Sequence, residues 1–480
     1  MVPLMAAGRV DEAQVDTALT RLVNIQMRLG FFDPPARVPF TAIGAESVDT
    51  SEHRALAKEA ADQALVLLRN APVGHMSSRQ GVRDGLVAGN GALPLSLATV
   101  RRVAVLGPLA DDGRNMLGNY EGDPKVLISP LAGIRTLVET AIPLAKEAAV
   151  LDSEAAAEAA RQVQQSECDA VVLVVGLRSE AGAGRLQVES GGGRPMDEAE
   201  GQDRTSLLLP GGQATLVRHV AAAAAAKAVA PPVILVLIGG GSMDVSEFDT
   251  PASNVSAILW AGYPGQAGGA AIADAIFGRT NPSGRLTTTW HRESFVQRVE
   301  MARMWMRPDA ATGHPGRSHR FFVGDAEDIL YPFGHGLSYA TFHATLASVL
   351  PQRATLSTLA SAGAWADSRA LRQEIVAECT VHVTHRGGPP GAHVVLLMAR
   401  PPSGTAGAPV QSLVAFERVV LAPGERRELQ LRVSALALSF ARDDDDGSRI
   451  LPAGRWELWL EEGEAAHGSV VWASSLVLLG

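Results

Sequence analysis

At 480 residues the chain exceeds one ordinary core, and a prior of about 150 residues per domain implies at least two units. With 46% hydrophobic and only 19% charged residues, it can bury enough apolar surface to fold, which excludes a disordered chain. A formal net charge of −9, with no Lys/Arg cluster interleaved with aromatics, excludes an electrostatic pull toward nucleic acid.

The first residues, MVPLMAAGRVDEA, lack the basic start and long apolar run of a secretion signal. Residues 11 to 29 predict one amphipathic helix. Asp11 and Gln14 fit a capping box, Val15, Ala18, Leu22, Ile25 and Leu29 form an apolar stripe, and Gly30 ends it. Such a stripe needs a partner surface. A second helix is predicted from about 52 to 69, followed by a polar, glycine-rich loop over 73 to 93.

Short apolar runs then alternate with helical segments. VAVLG at 103 to 107, VVLVVG at 171 to 176, VILVLIGGG at 233 to 241 and SAILWAG at 256 to 262 read as strands, with helices near 153 to 166 and 211 to 228. Continuous β-branched runs between helices are the pattern of parallel strands buried on both faces, so the centre is a doubly wound α/β domain. Ligands of such sheets bind outside the carboxyl ends of the strands. The Ala-rich stretch around 221 to 239 is broken by Lys227 and Pro231-Pro232, so it does not read as a membrane span.

After about residue 345 the texture changes. A linker rich in Ala, Ser and Leu leads to VAECTVHVTHRG, HVVLLMARP, LVAFERVVLAPGERRELQLRVS and GRWELWLEEG, the alternating runs of an all-β sandwich. The run Asp443 to Asp446 lacks the spaced ligands of a calcium loop and reads as a solvated turn. Cys168 and Cys379 support neither a disulfide framework nor a Cys-based metal site. The triplet Asn254-Val255-Ser256 is a glycosylation sequon that matters only in a secreted chain.

Several ordered motifs carry a resemblance: AGRVDEAQVDTALTRLVNIQMRLGFFDPP, VAVLGPLADD with MLGNYEG, EAEGQDRTSLLLPGGQ, WAGYPGQAGGAAIADAIFGRTNPSGRLTTTW, YPFGHGLSYATF and VAFERVVLAPGE. Together they resemble glycoside hydrolase family 3, most closely its β-xylosidase-like branch. The resemblance implies a catalytic (β/α)8 barrel, an α/β sandwich domain and a fibronectin type III-like domain, and here it starts only at the barrel's final helix. It divides the chain into a barrel-helix remnant and linker over 1–45, the α/β sandwich domain over 46–345, a linker over 346–372 and the fibronectin type III-like domain over 373–480. An exposed barrel-docking face is then expected to promote association.

Retaining glycosidases use two carboxyl groups about 5 to 5.5 Å apart. By resemblance the nucleophile is an aspartate on the barrel, and no Ser-Asp pair of the kind that marks it occurs in the chain. The proton shuttle is a glutamate on a loop of the α/β sandwich domain, a stretch matched by Glu198 or Glu200, with Glu198 the first choice. Asp203 and Arg204 are implied to anchor that loop as an Arg–carboxylate pair; read from the residues alone, they equally suit a charge pair at a helix start. Glu180 and Glu189, in the glycine-rich stretch 178 to 196, are rivals for the proton shuttle.

The family tends to carry tyrosines where His314 and His319 stand, and two histidines without a third ligand make a weak metal site, so both read as interface histidines. Asn281, Pro282, Gly284 and Arg285 read as a tight turn. Gly239 and Gly241 follow a strand as in a dinucleotide fold, yet the third glycine is absent and Asp244 comes too early for a ribose acid. No cofactor is expected.

These features imply an exo-acting, retaining β-xylosidase or β-glucosidase-type hydrolase, or the carboxyl-terminal portion of one, acting on a β-linked saccharide. On the resemblance alone the chain is expected to be inactive without its nucleophile, and its setting to be extracellular. The alternative is a non-catalytic carbohydrate-binding or interaction protein that kept the two later domains.

Overall fold

A computed structural model describes residues 5–72, 91–144, 153–179, 197–198, 201, 203–355, 368–441, 449–461 and 473–479. Glu180, Glu189, Glu200 and the Asp443 to Asp446 run lie outside these described residues. The chain separates into two compact units, Met1–Leu56 and Ala57–Gly480.

In the first unit, helix α1 (Glu12–Arg28) begins as its sequence dictates. The Asp11 carboxylate accepts the Gln14 amide at 2.7 Å, and the Gln14 side chain accepts the Asp11 amide at 3.0 Å. This reciprocal box satisfies two otherwise unpaired donors. Leu22, Ile25 and Leu29 of the apolar stripe are 53%, 55% and 47% exposed.

Helix α2 (Ser51–Ala64) stops earlier than the sequence pattern suggests, because Val66–Asn70 is strand β1. Val66, Leu67 and Leu68 are each 2% exposed or less. Three consecutive apolar side chains are buried together by a strand that is covered on both faces, and that burial stops the helix of ALAKEAADQA from continuing into VLLRN.

The α/β domain continues through β2 (Arg102–Leu106), α3 (Pro130–Arg135), β3 (Thr140–Leu144), α4 (Ser153–Gln165), β4 (Ala170–Gly176), α5 (Gln213–Ala225), β5 (Val233–Ile238), β6 (Ala257–Gly262) and α6 (Gly268–Ile276). Its sheet has the order β1-β6-β5-β4-β2-β3, parallel except for β1 at one edge. One face packs Leu131, Ile134, Ile272 and Ile276 of α3 and α6, the other Ala159, Val163, Leu216 and Val220 of α4 and α5. Every residue of β4 and β5 is buried, as expected for central strands covered on both sides.

A short pair, β7 (Trp290–His291) and β8 (Ile329–Tyr331), and helix α7 (Glu293–Arg298) follow. The turn at 281 to 285 is a structural joint: Asn281 Oδ1 accepts the Tyr339 amide at 2.8 Å and the Ser338 hydroxyl at 2.9 Å, and Arg285 donates to the Gly336 carbonyl.

The sandwich comprises β9 (Thr341–Leu350), β10 (Arg353–Thr355), β11 (Ile375–Gly387), β12 (Gly391–Arg400), β13 (Ser412–Leu421), β14 (Arg426–Ser434), the ribbon β15 (Phe440–Ala441) with β16 (Arg449–Ile450), β17 (Gly454–Glu461) and β18 (Ala473–Leu479). Its sheets run β14-β11-β9 and β10-β18-β17-β12-β13. Residues 346 to 350 and 353 to 355, which read as linker, belong to β9 and β10: Val349 is 2% exposed against the sandwich core, a burial that the Ala/Ser/Leu composition does not reveal. No helix among the described residues is long and apolar enough to cross a membrane.

Candidate active site

Parallel register brings three strand ends together: Gly176 of β4 sits opposite Ile238 of β5, and Ile238 opposite Gly262 of β6. Gln213 clamps the first end, its side chain bonding both the amide and the carbonyl of Gly176 at 2.7 and 2.8 Å. Buried Asn115 then accepts the Ser179 amide at 3.1 Å and donates to the Leu177 carbonyl at 2.9 Å. The returning segment is tied to the same place. Asp197 accepts the Arg178 amide at 2.8 Å, and the amides of Asp197 and Glu198 both donate to the Arg178 carbonyl, at 2.9 and 3.2 Å. Burial pushes the Asp197 carboxyl up, and the Arg178 amide opposes that rise.

Glu198 therefore projects over the ends of β5 and β6. Its Oε1 accepts the Gly240 amide at 2.8 Å and the Tyr263 hydroxyl at 2.7 Å, while Oε2 lies 3.7 Å from Nε of Arg204. Its side chain is 21% exposed. Burial and the adjacent Glu198 carboxylate hold the Tyr263 phenol well above its usual range, so it stays a donor. Glycine at 240 leaves room for both partners: a Cβ there would lie 3.0 Å from the Tyr263 ring and 3.3 Å from Glu198 Oε1.

Arg204 is anchored by its Nη2, which donates to the Ser242 carbonyl at 2.5 Å. Burial lowers its pKa, and Glu198 and Asp197 counteract that shift. Its carboxylate neighbour is Glu198 rather than Asp203, which is exposed and makes no hydrogen bond or ion pair among the described residues. The segment after Arg204 is fixed from behind. Glu293 Oε2 accepts the Leu207 amide at 2.6 Å and the Ser206 hydroxyl at 3.1 Å, and Asp244 Oδ2 accepts the Glu293 amide at 2.7 Å. Asp244 thus acts as a latch at the start of α7. Of the two glycines that suggested a dinucleotide fold, Gly241 lies beside Glu198 and Arg204, whereas Gly239 packs against Leu177.

The resulting cleft, of about 590 Å³, is lined by Glu198, Asp203, Arg204, Tyr263, Tyr120 and His291, among others. His291 stacks on Phe295 at 3.9 Å, and burial, reinforced by Arg317, lowers its pKa to about 4. A larger cavity of about 1190 Å³ lies where the α/β domain meets the sandwich, lined by Arg69, Asp249, Tyr331 and Arg400. Of the five carboxylates that line it, Asp249 is paired with Arg69 at 3.0 Å and Asp325 and Asp328 are paired with Arg298, while Glu327 and Glu461 lack the amide and phenol donors that cradle Glu198. The smaller cleft is the better candidate for acid/base chemistry.

His314 and His319 lie outside the cleft. His314 is buried and accepts the Gly316 amide at 3.1 Å; His319 stacks on Phe333 at 3.9 Å, its pKa lowered to about 4 by burial and then by Arg320. No group of three His, Cys, Asp or Glu able to hold a metal occurs among the described residues. Sequence reasoning did not single out Tyr263 or Gly240. Gly240 lay within the predicted run 233 to 241, and Tyr263 directly followed the predicted strand 256 to 262, inside one of the motifs that carry the resemblance.

Comparison with known proteins identifies both domains. Residues 39–339 match the glycosyl hydrolase family 3 C-terminal domain, and residues 393–463 match the fibronectin type III-like domain. The chain is 37% identical over 469 residues to the beta-xylosidase/alpha-L-arabinofuranosidase 2 of Medicago sativa subsp. varia, covering 96% of this chain and 54% of that protein. It is 38% identical over 477 residues to beta-D-xylosidase 1 of Arabidopsis thaliana, covering 97% and 55%. The solved structure of a GH3 exo-beta-xylosidase (XlnD) in complex with a xylobiose aziridine activity-based probe superposes with a TM-score of 0.76 at 27% identity, covering 99% of this chain and 55% of that one. The chain spans about half the length of the curated relatives it matches.

Proposed function

Since the chain belongs to glycoside hydrolase family 3, we propose that its cleft supplies the general acid/base half of a retaining glycosidase site of β-xylosidase type, with Glu198 as the acid/base. The observation that supports this reading most is the Glu198 carboxylate itself, held over three strand ends by an amide and a phenol and still 21% exposed to the cleft. General acid catalysis needs a carboxyl group that is fixed in place yet reachable by the leaving oxygen. The nucleophilic carboxylate of the mechanism is not assigned to any residue of this chain. The substrate class, a β-linked xyloside or xylo-oligosaccharide, rests on the names of the relatives.

The test is hydrolysis of aryl β-xylosides and xylobiose by the 480-residue chain, alone and joined to the barrel of a family 3 β-xylosidase, each as wild type and Glu198→Gln. Activity that requires the barrel and falls in Glu198→Gln supports the proposal. Undiminished xylobiose hydrolysis by Glu198→Gln would overturn it.

A further inference from the structure

The two oxygens of Glu198 are treated unequally by the fold. Oε1 accepts two hydrogen bonds, from the Gly240 amide at 2.8 Å and the Tyr263 hydroxyl at 2.7 Å. Oε2 accepts none among the described residues, and its nearest cation, Arg204, is 3.7 Å away with Nη2 bound to the Ser242 carbonyl. A protonated carboxyl group donates from one oxygen and accepts at the other. An oxygen that already receives an N–H and an O–H has no free direction for a proton of its own.

We propose that Tyr263 is a positioning residue which, with the Gly240 amide, reserves Oε1 as an acceptor, so that the proton Glu198 gives and takes resides on Oε2. This rests on the reading of Glu198 as the acid/base. In the glycosylation step the Oε2 proton passes to the bridging oxygen, which keeps the electron pair of the breaking C–O bond and leaves as an alcohol. The glycosyl carbon bonds to a nucleophilic carboxylate, and the Glu198 carboxylate later takes a proton from the water that cleaves that ester. Three features keep Tyr263 in this role: its position directly after β6, burial that keeps its phenol protonated, and glycine at 240, which leaves room for its ring.

The chain has four tyrosines, Tyr120, Tyr263, Tyr331 and Tyr339, so labelling with 13Cζ-tyrosine gives four reporter signals, with Tyr263 assigned by Tyr263→Phe. On acidification of the folded chain the wild-type Tyr263 signal should move through a transition that is absent in Glu198→Gln. Its acid limit should coincide with the Glu198→Gln position, where a neutral carbonyl oxygen accepts the same bond. An acid limit at the Glu198→Ala position, where the acceptor is gone, would put the proton on Oε1 and overturn the proposal, as would a signal that does not respond.

These readouts need no activity, and the comparison of wild type with Glu198→Gln stands even where Tyr263→Phe folds poorly. In the barrel-joined enzyme, Tyr263→Phe should lower kcat about tenfold on xylobiose with little change in KM, the signature of lost transition-state stabilisation. An unresponsive Tyr263 signal with an inactive Glu198→Gln enzyme sinks the positioning role alone. A responsive signal with undiminished Glu198→Gln hydrolysis sinks the acid/base reading.

Discussion

The Tyr263 hydroxyl meets the Glu198 carboxylate at 2.7 Å, although 65 positions of sequence separate the two residues. The contact is made by register: Glu198 hangs from the end of β4, Tyr263 follows β6, and β5 between them supplies Gly240. A carboxyl group held this way should matter in proportion to the proton the leaving group needs. In an active enzyme containing this chain, Glu198→Gln is therefore expected to lower kcat/KM about 10² to 10⁴-fold on xylo-oligosaccharides. The loss should be far smaller on dinitrophenyl xyloside, whose leaving group needs little protonation. Steady-state kinetics over a series of leaving groups checks this.

Gly240→Ala should disturb the site more than its single added methyl group suggests. The new Cβ would fall 3.0 Å from the Tyr263 ring and 3.3 Å from Glu198 Oε1, so the ring or the loop must shift. Overpacking of this kind costs about 1 to 3 kcal/mol. A lowered urea midpoint together with loss of the Tyr263 response is the expected pair of results.

Asp203 and Arg204 are adjacent in sequence but should respond unequally to substitution. Asp203→Asn removes a charge that has no partner among the described residues, so stability should change by less than about 0.5 kcal/mol. Arg204→Met leaves the Ser242 carbonyl without its donor and the Glu198 carboxylate without its nearest cation, for a loss of about 1 to 3 kcal/mol. Equal effects in chemical denaturation would return the anchoring role to the pair.

Glu293→Ala should loosen the cleft from behind. It strips the Leu207 amide and the Ser206 hydroxyl of their shared acceptor, at a cost of about 1 to 3 kcal/mol. Hydrogen exchange at Leu207 should rise well before that of β4 and β5, whose residues are all buried.

Acid should weaken the fold through its buried histidines. Burial lowers the pKa of His291 and His319 to about 4 and of His393 to about 3, with Arg317, Arg320 and Arg285 adding to the respective shifts. Each group binds its proton more readily in the unfolded chain, where the imidazole pKa is about 6.5. The stabilisation is thus present above about pH 6.5 and is lost as pH falls toward the folded values, at up to about 1.4 kcal/mol per pH unit for each histidine. Urea unfolding at pH 7 and pH 5 checks the sign. His319→Phe, which can preserve the stack on Phe333, should make the pH dependence shallower.

Much of the architecture was legible in the residues themselves. β-branched runs such as VVLVVG can be buried on both faces only as central strands, and the capping box at Asp11 and Gln14 is a local contact that needs nothing beyond its own turn. Local patterning failed where burial outweighed propensity, at β1, which read as the end of a helix, and at β9 and β10, which read as linker. The charged loop could be located from its motif, and Glu198 ranked first on resemblance. What the loop's charges do was decided by tertiary structure: Glu198 bonds Gly240 and Tyr263, 42 and 65 positions away, and Arg204 faces Glu198 rather than its neighbour Asp203. Side chains that meet only when parallel strands align leave no periodicity in the chain, because their spacing is set by the crossover helices and loops between the strands.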